Sequence, residues 1–376
     1  MRQHLSPFAS VPLLKTLPLP AIISTKALTI PDIRSFVHHG NRSMNIYDIA
    51  KMANVSIATV SRVVNGSEKV SEKTRQRVLA IIEREGFTPN VFAQGLGLHT
   101  MHTVGILVPD ISDLYMSVAV SCLEKQLNTY GYDCILSCSG FEHSQKESRV
   151  QMLLSKHIDA LILVGSTYSG HGGDRETDYI RSAAAQVPVL LINAEVEGDG
   201  IYCCVSQDRQ AMFRVVCALI RQGRRRILFL TDSKSYSALE KKGGYEQALQ
   251  SADLPILPEL EWTVPGDMDS VRMRLLDSTP DIGAVVATQD ILAIGAIKYA
   301  SQKGISVPED LSIVGFNNSL PASCSEPALS SIDSRVEQRC AETVDHLIAL
   351  LSGHSEVPHH ISVPCQIIER GTTRLL

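Results

Sequence analysis

The chain has 376 residues, 44% hydrophobic and 20% charged, enough for two or three domains with a large core. Its net charge of −5 is unevenly divided: residues 1–43 carry five basic side chains and one acid, residues 44–86 seven and five, leaving −11 on the rest. No apolar run is long enough to span a membrane, and the nine cysteines form neither a CxxC pair nor a zinc-spaced Cys/His cluster, which argues against a membrane protein, a disulfide framework or a zinc site and fits a reducing cytoplasm.

In residues 1–43, Arg2 and the apolar residues after it raise the question of a signal peptide. Lys15 and the prolines Pro7, Pro12, Pro18 and Pro20 interrupt any continuous apolar segment, so the stretch is expected to be a non-native or disordered extension. A helical pattern begins just after Met44. Ile46, Ile49, Ala50 and Ala53 fall at i, i+3, i+4 and i+7, one apolar face of a short helix. Asn54-Val55-Ser56 breaks the pattern, Ser56 is a good N-cap, and Val60, Val63 and Val64 resume helical spacing up to Asn65-Gly66. Two short helices joined by so tight a turn suit a helix-turn-helix, whose second helix enters the DNA major groove. They also suit an αα-corner in some other helical domain, and spacing alone does not choose. A third helix is expected over 72–85, with Ser71 as N-cap and Gly86 beyond its end. Val78, Ile81, Ile82 and Phe87 would close the core against Ile49 and Val60. Lys73 and Arg75 are expected near the DNA side, and Arg77 on a solvated face.

The residues themselves narrow the choice. Asp48-Ile49-Ala50, Ala53, Val55-Ser56, Thr59-Val60-Ser61-Arg62-Val63 and Asn65 stand in this order, followed by Val70-Ser71, Thr74-Arg75, Val78 and Gly86-Phe87-Thr88-Pro89-Asn90. This run resembles the DNA-binding head of the LacI/GalR (lactose-repressor/galactose-repressor) family of bacterial regulators. The resemblance extends from Met44 to the C-terminus, strongest in the head, and implies a translation start at Met44. It also implies that the second helix reads double-stranded, palindromic operator DNA. Arg62, one turn beyond Ala58 on the same face, would contact guanine edges. Ile57 and Ala58 would make apolar contact with bases, Ser61 and Asn65 would meet phosphates, and Thr59 completes the set.

At residues 90–102 the family holds a hinge helix whose leucine wedges into the minor groove, and Leu96 matches it. Gln94, Gly95 and Gly97 replace the usual basic and serine residues around it. Each glycine costs about 1 kcal/mol of helix stability relative to alanine, so this hinge is expected to depend on DNA for its order.

From Met101 onward, short apolar runs alternate with helical stretches. Strands are expected at 103–108, 133–138, 160–164 and 187–192, then at 226–231, 262–264, 283–287 and 311–316. Helices are expected at 118–130, 145–157 and 178–185, then at 210–222, 239–252, 269–276 and 290–303, with a long one at 336–351 and a last strand at 361–369. Two βα-repeating halves mean two doubly wound parallel-sheet subdomains, approximately 103–203 and 204–330, with 331–376 crossing between them. This resembles the family's periplasmic-binding-protein-like effector and dimerisation domain.

An effector would then sit in the cleft, at the carboxyl ends of both sheets. The resemblance places Asp113, Tyr115 and Met116 there from the loop after the first strand. Lys241 matches an arginine that grips the effector, and Met268 matches an aromatic platform. Asn193, Gln289, Asp290 and Asn317 follow strands, and Gln207, Asp208, Ser235 and Ser237 lie close by. Asparagine at 193 and 317, where sugar-binding relatives carry aspartate, together with Lys241, leans toward a sugar acid or sugar phosphate. Neutral-sugar recognition through amides stands beside it.

No Gly-rich phosphate loop, GxSxG or metal cluster supports catalysis, so no enzyme activity and no cofactor are expected. A solute-binding transport protein would share the body but need a secretory signal and lack the head. The expectation is a cytoplasmic, homodimeric, ligand-controlled repressor. Tetramers are not expected, because no leucine heptads follow the last strand.

Overall fold

The computed structural model describes residues 44–64, 66–86, 100–170, 174–278, 280–354 and 356–375. The chain divides into two compact units at residues 88/89. The first unit is helical. Helix α1 (Ile46–Ala53) opens on a capping box: the Asn45 side chain accepts from the backbone amides of Tyr47 and Asp48, and the Asp48 carboxylate accepts from the Asn45 amide. Asn54, at φ 49°, ends it in the left-handed region that asparagine tolerates. Helix α2 (Ile57–Val64) starts where Ser56 Oγ accepts from the Thr59 amide at 3.2 Å. Helix α3 (Glu72–Glu85) ends at Gly86, with φ 62°. Ser71 holds its N-cap position, but its hydroxyl pairs with that of Thr74 and caps no amide. Ile49, Ala50, Ala53, Val60, Val63, Val78 and Ile81 form the small core.

The second unit holds two six-stranded sheets. The first is built from β1 (Thr103–Val108), α4 (Leu114–Thr129), β2 (Asp133–Cys138), α5 (His143–Leu154), β3 (Ala160–Val164), α6 (Asp178–Ala184), β4 (Val189–Ile192) and β5 (Ile201–Ser206). The chain then crosses to the second sheet. That layer contains α7 (Asp208–Arg221), β6 (Ile227–Thr231), α8 (Tyr236–Ser251), β7 (Glu261–Thr263), α9 (Met268–Ser278), β8 (Ala284–Ala287), α10 (Asp290–Lys303), β9 (Ser312–Phe316), α11 (Leu320–Cys324) and β10 (Ser330–Asp333). The chain returns through α12 (Val336–Leu351) to β11 (His360–Val363), then crosses a third time to β12 (Gln366–Ile368).

The strand orders are β11-β5-β4-β3-β1-β2 and β12-β10-β9-β8-β6-β7. Every pairing is parallel except that of β12 with β10. Central strands such as Ala160–Val164 and Ser312–Phe316 are buried throughout, as strands with helices on both faces must be. Helix α12 packs Val336, Cys340, Val344 and Leu347 onto the first sheet, beside Leu123 and Leu127 of α4. Two helix pairs approach closely enough to require glycine. A Cβ on Gly244 would lie 2.2 Å from the Arg209 carbonyl oxygen, and one on Gly295 2.5 Å from that of Met268.

Three expectations change. Two strands stand where none is expected: β10, short and mostly polar, and β5, a six-residue strand. Helices α4 and α8 start about one turn earlier than their apolar spacing suggests, α4 because Asp113 caps it by accepting from the Met116 amide. The single last strand at 361–369 is instead two strands in different sheets, with Pro364 and Cys365 between them. The subdomains are thus joined at 206–208, 333–336 and 363–366.

Candidate DNA-reading helix and ligand cleft

In the head, α2 has two distinct faces. Val60 and Val63 are buried, while Ile57 (41% exposed), Ala58 and Arg62 face outward, with Thr59 and Ser61 half-buried. Ala58 and Arg62 lie four residues apart and share a face. No hydrogen bond or ion pair holds the Arg62 guanidinium among the described residues. Thr59 is tied to Ser56, their hydroxyls 2.9 Å apart. Arg75 donates to the Ser67 carbonyl at 2.6 Å and lies 3.6 Å from Glu72, which fastens α3 to the loop after α2. Asn65, Phe87 and Leu96 lie outside the described residues.

In the body, a cavity of about 220 Å³ opens between the subdomains. One side is the loop after β1 and the start of α4: Ser112, Asp113, Leu114 and Tyr115. The other comes from the second subdomain and includes Gly266, Gln289, Asp290, Phe316 and Asn317. Five of the expected positions therefore converge: Asp113, Tyr115, Gln289, Asp290 and Asn317. Gln289 donates to Asp232 at 2.7 Å. Burial pushes the Asp232 carboxyl above its ordinary value. Both oxygens of Asp290 are occupied, one by the Ser331 hydroxyl and the other by the amide and hydroxyl of Ser319, so this residue clamps the loop after β9 to the start of α10.

The other expected positions are not among the residues that line this cavity. Met116 of α4 and Met268 are half-buried and pack against the cores of the first and second subdomains. Lys241 is 5% exposed. Its ammonium lies 3.8 Å from the centre of the Phe316 ring, donates to the Thr288 carbonyl at 3.2 Å, and stands 3.8 Å from Asp208. Burial lowers the Lys241 pKa, and Asp208 opposes the shift. Asp208 also accepts from Ser237 at 2.6 Å and from Ser206.

Sequence reasoning missed Arg339. It is fully buried on α12, and its guanidinium donates to Asn193 Oδ1 at 3.3 Å and to Ser334 Oγ at 3.1 Å. Ser334 in turn donates to Asn317 Oδ1 at 3.4 Å. Asn193 is thus held by Arg339, and Asn317 both lines the cavity and joins the same chain. The available signal was an arginine at i+3 from Val336 on a stripe that continues through Cys340, Thr343, Val344 and Leu347.

Comparison with known proteins adds the decisive observation. Residues 45–90 match the family model described as bacterial regulatory proteins, lacI family, and residues 216–373 match a periplasmic binding protein-like domain. An HTH-type transcriptional regulator of Lachnoclostridium phytofermentans is 44% identical over 334 residues, covering 88% of this chain and 99% of the relative. The chain belongs to the lacI family. Catabolite control protein A of Priestia megaterium is 33% identical, over 77% of this chain and 87% of that protein. The solved structure of the lac repressor dimer bound to operator and the anti-inducer ONPF matches with a TM-score of 0.79 at 24% identity, covering 88% of this chain and 99% of that one. That likeness carries the fold. The lacI-family relatives are transcriptional regulators and not enzymes, and the protein is a DNA-binding regulator of the same kind.

Proposed function

We propose that this lacI-family regulator is a cytoplasmic homodimeric repressor of a palindromic operator, whose affinity is set by a small-molecule effector. That effector is a sugar, sugar acid or sugar phosphate bound in the cleft of the second unit. In this reading 44–89 is the DNA-binding head, 90–102 the hinge and 103–376 the effector and dimerisation domain. No helix among the described residues is long and apolar enough to cross a membrane.

The observation that carries the reading is the face of α2. Ile57, Ala58 and Arg62 are exposed on the second helix of a helix-turn-helix whose opposite face is buried. An arginine with no ion-pair partner among the described residues, beside apolar side chains, suits guanine edges and thymine methyls. Dimerisation would use the outer faces of α4 and α8, where Val118 and Leu239 are exposed. Effector control follows from the three crossings, since ligand in the cleft would change the angle between the subdomains.

The test is thermal unfolding of the full chain against a metabolite library, followed by operator titration with any hit. A ligand at 100-fold its dissociation constant stabilises by about 2.7 kcal/mol. A hit that raises the unfolding midpoint and shifts operator affinity supports the proposal. A cleft ligand with no effect on DNA binding argues against it.

A further inference from the structure

Two buried cations stand near the crossings, Lys241 and Arg339. The carboxylates beside Lys241 are Asp208, buried, and Asp232, half-buried. Asp208 lies within ion-pair distance of Lys241 and is also engaged by Ser206, Ser237 and Cys365. Arg339 has no carboxylate within 4 Å among the described residues, and its partners are the neutral oxygens of Asn193 and Ser334. Its Nε is buried with no hydrogen-bond partner. The Tyr115 hydroxyl is likewise buried without one, and the guanidinium carbon lies 5.5 Å from the centre of the Tyr115 ring. Tyr115 and Asn317 line the cavity, so this unsatisfied cation stands directly behind its wall. A buried charge without a counter-charge is expensive, and a fold that keeps one gains when a ligand supplies it.

We infer that the effector carries a carboxylate or phosphate that binds Arg339 between Asn193 and Asn317, with the Tyr115 hydroxyl as a further donor. The inference rests on the cleft being the effector site. Guanidinium suits this role because its planar fork matches carboxylate and phosphate oxygens in pairs. Opening of the subdomains about the three crossings admits the anion, and closure brings Arg339 onto it. Asp113 and Asp290 line the cavity and Asp232 holds Gln289 beside them. Hydrogen bonds to neutral groups do not cancel a carboxylate's charge, so the anion binds against their field and Arg339 must outweigh it. The group that Lys241 was expected to bind is therefore assigned to Arg339.

The experiment is thermal unfolding of the full chain with inorganic phosphate, D-glucuronate or D-glucose, each against potassium chloride at matched ionic strength. Wild type is compared with Arg339→Lys, Arg339→Met and Gln289→Ala. A saturable rise in midpoint with phosphate or glucuronate is expected, and whichever acts identifies the anionic group. The apparent affinity should fall about tenfold or more in Arg339→Lys, which keeps the charge and loses the fork, and the response should vanish in Arg339→Met. An absent anion response in wild type, or one unchanged in Arg339→Met, would overturn the inference. A glucose response that survives Arg339→Met and is lost in Gln289→Ala would overturn the anionic class and leave the cleft as the effector site.

Discussion

Asn193 and Asn317 end strands in different sheets, yet they share one chain of hydrogen bonds. Arg339 donates to Asn193 and to Ser334, and Ser334 donates to Asn317. Both asparagines have positive φ, 66° and 91°, a region that asparagine tolerates better than most residues and that turns the backbone sharply after β4 and β9. Arg339 thus ties the end of β4 to the end of β9 through Ser334.

Asn193→Asp places a carboxylate 3.3 Å from where Arg339 now meets an amide oxygen, and aspartate also tolerates the left-handed region. The charged bond should add about 1.5–3 kcal/mol before desolvation costs are subtracted. The unfolding midpoint should rise and any response to phosphate or glucuronate should weaken. Calorimetry on the variant with and without anion checks both.

The Lys241–Asp208 pair should behave as a buried ion pair. Asp208→Asn leaves Lys241 buried without a counter-charge and should cost about 3–5 kcal/mol. The double variant Asp208→Asn, Lys241→Met should recover much of that loss, because the stranded charge is gone. Urea unfolding of the single and double variants measures the coupling, and simple additivity would show that the two residues act independently.

The head and the two-sheet body were largely legible in the sequence, because both rest on short-range periodicity. Helices α1, α2 and α3 occupy the expected residues, since strong caps at Asn45, Ser56 and Gly86 fix their ends. The parallel strands stood out as continuous apolar runs. Strand β10, Ser330–Asp333, carries mostly polar side chains that are nonetheless buried, and its identity depends on pairing with β9. In the site, loop positions after strands were readable, and five of them meet at the cavity. The pairing of Lys241 with Asp208 was not, because 33 positions of sequence separate them and the packing of α7 on α8 brings them together. Arg339 was hidden by its place on a helix whose neighbours read as ordinary core.

Close helix packing gives a stability prediction independent of the sites. Gly244→Ala would press a methyl against the Arg209 backbone of α7, and Gly295→Ala against Met268 of α9. Backbone cannot yield as a side-chain tip does, so each should cost about 1–3 kcal/mol or more. Thermal midpoints would show this, and an unchanged midpoint for Gly244→Ala would contradict the close approach of α7 and α8.

The hinge prediction comes from sequence, since Leu96 lies outside the described residues. Gly95→Ala with Gly97→Ala should favour hinge helix formation by up to about 2 kcal/mol per chain, where neither position needs positive φ. Operator binding should tighten and ligand response should weaken. Leu96→Ala should keep nonspecific affinity and lose specific affinity, and gel-shift titrations on specific and nonspecific duplexes separate these effects.

If α2 reads operator DNA as one of a symmetric pair, selection of bound duplexes from a random pool by the full chain enriches an inverted repeat. Arg62→Ala should lose about 1–3 kcal/mol per half-site and relax one position in each half. A pool with no enriched sequence, a lone half-site, or an Arg62→Ala variant that selects the same repeat with the same affinity would contradict that reading.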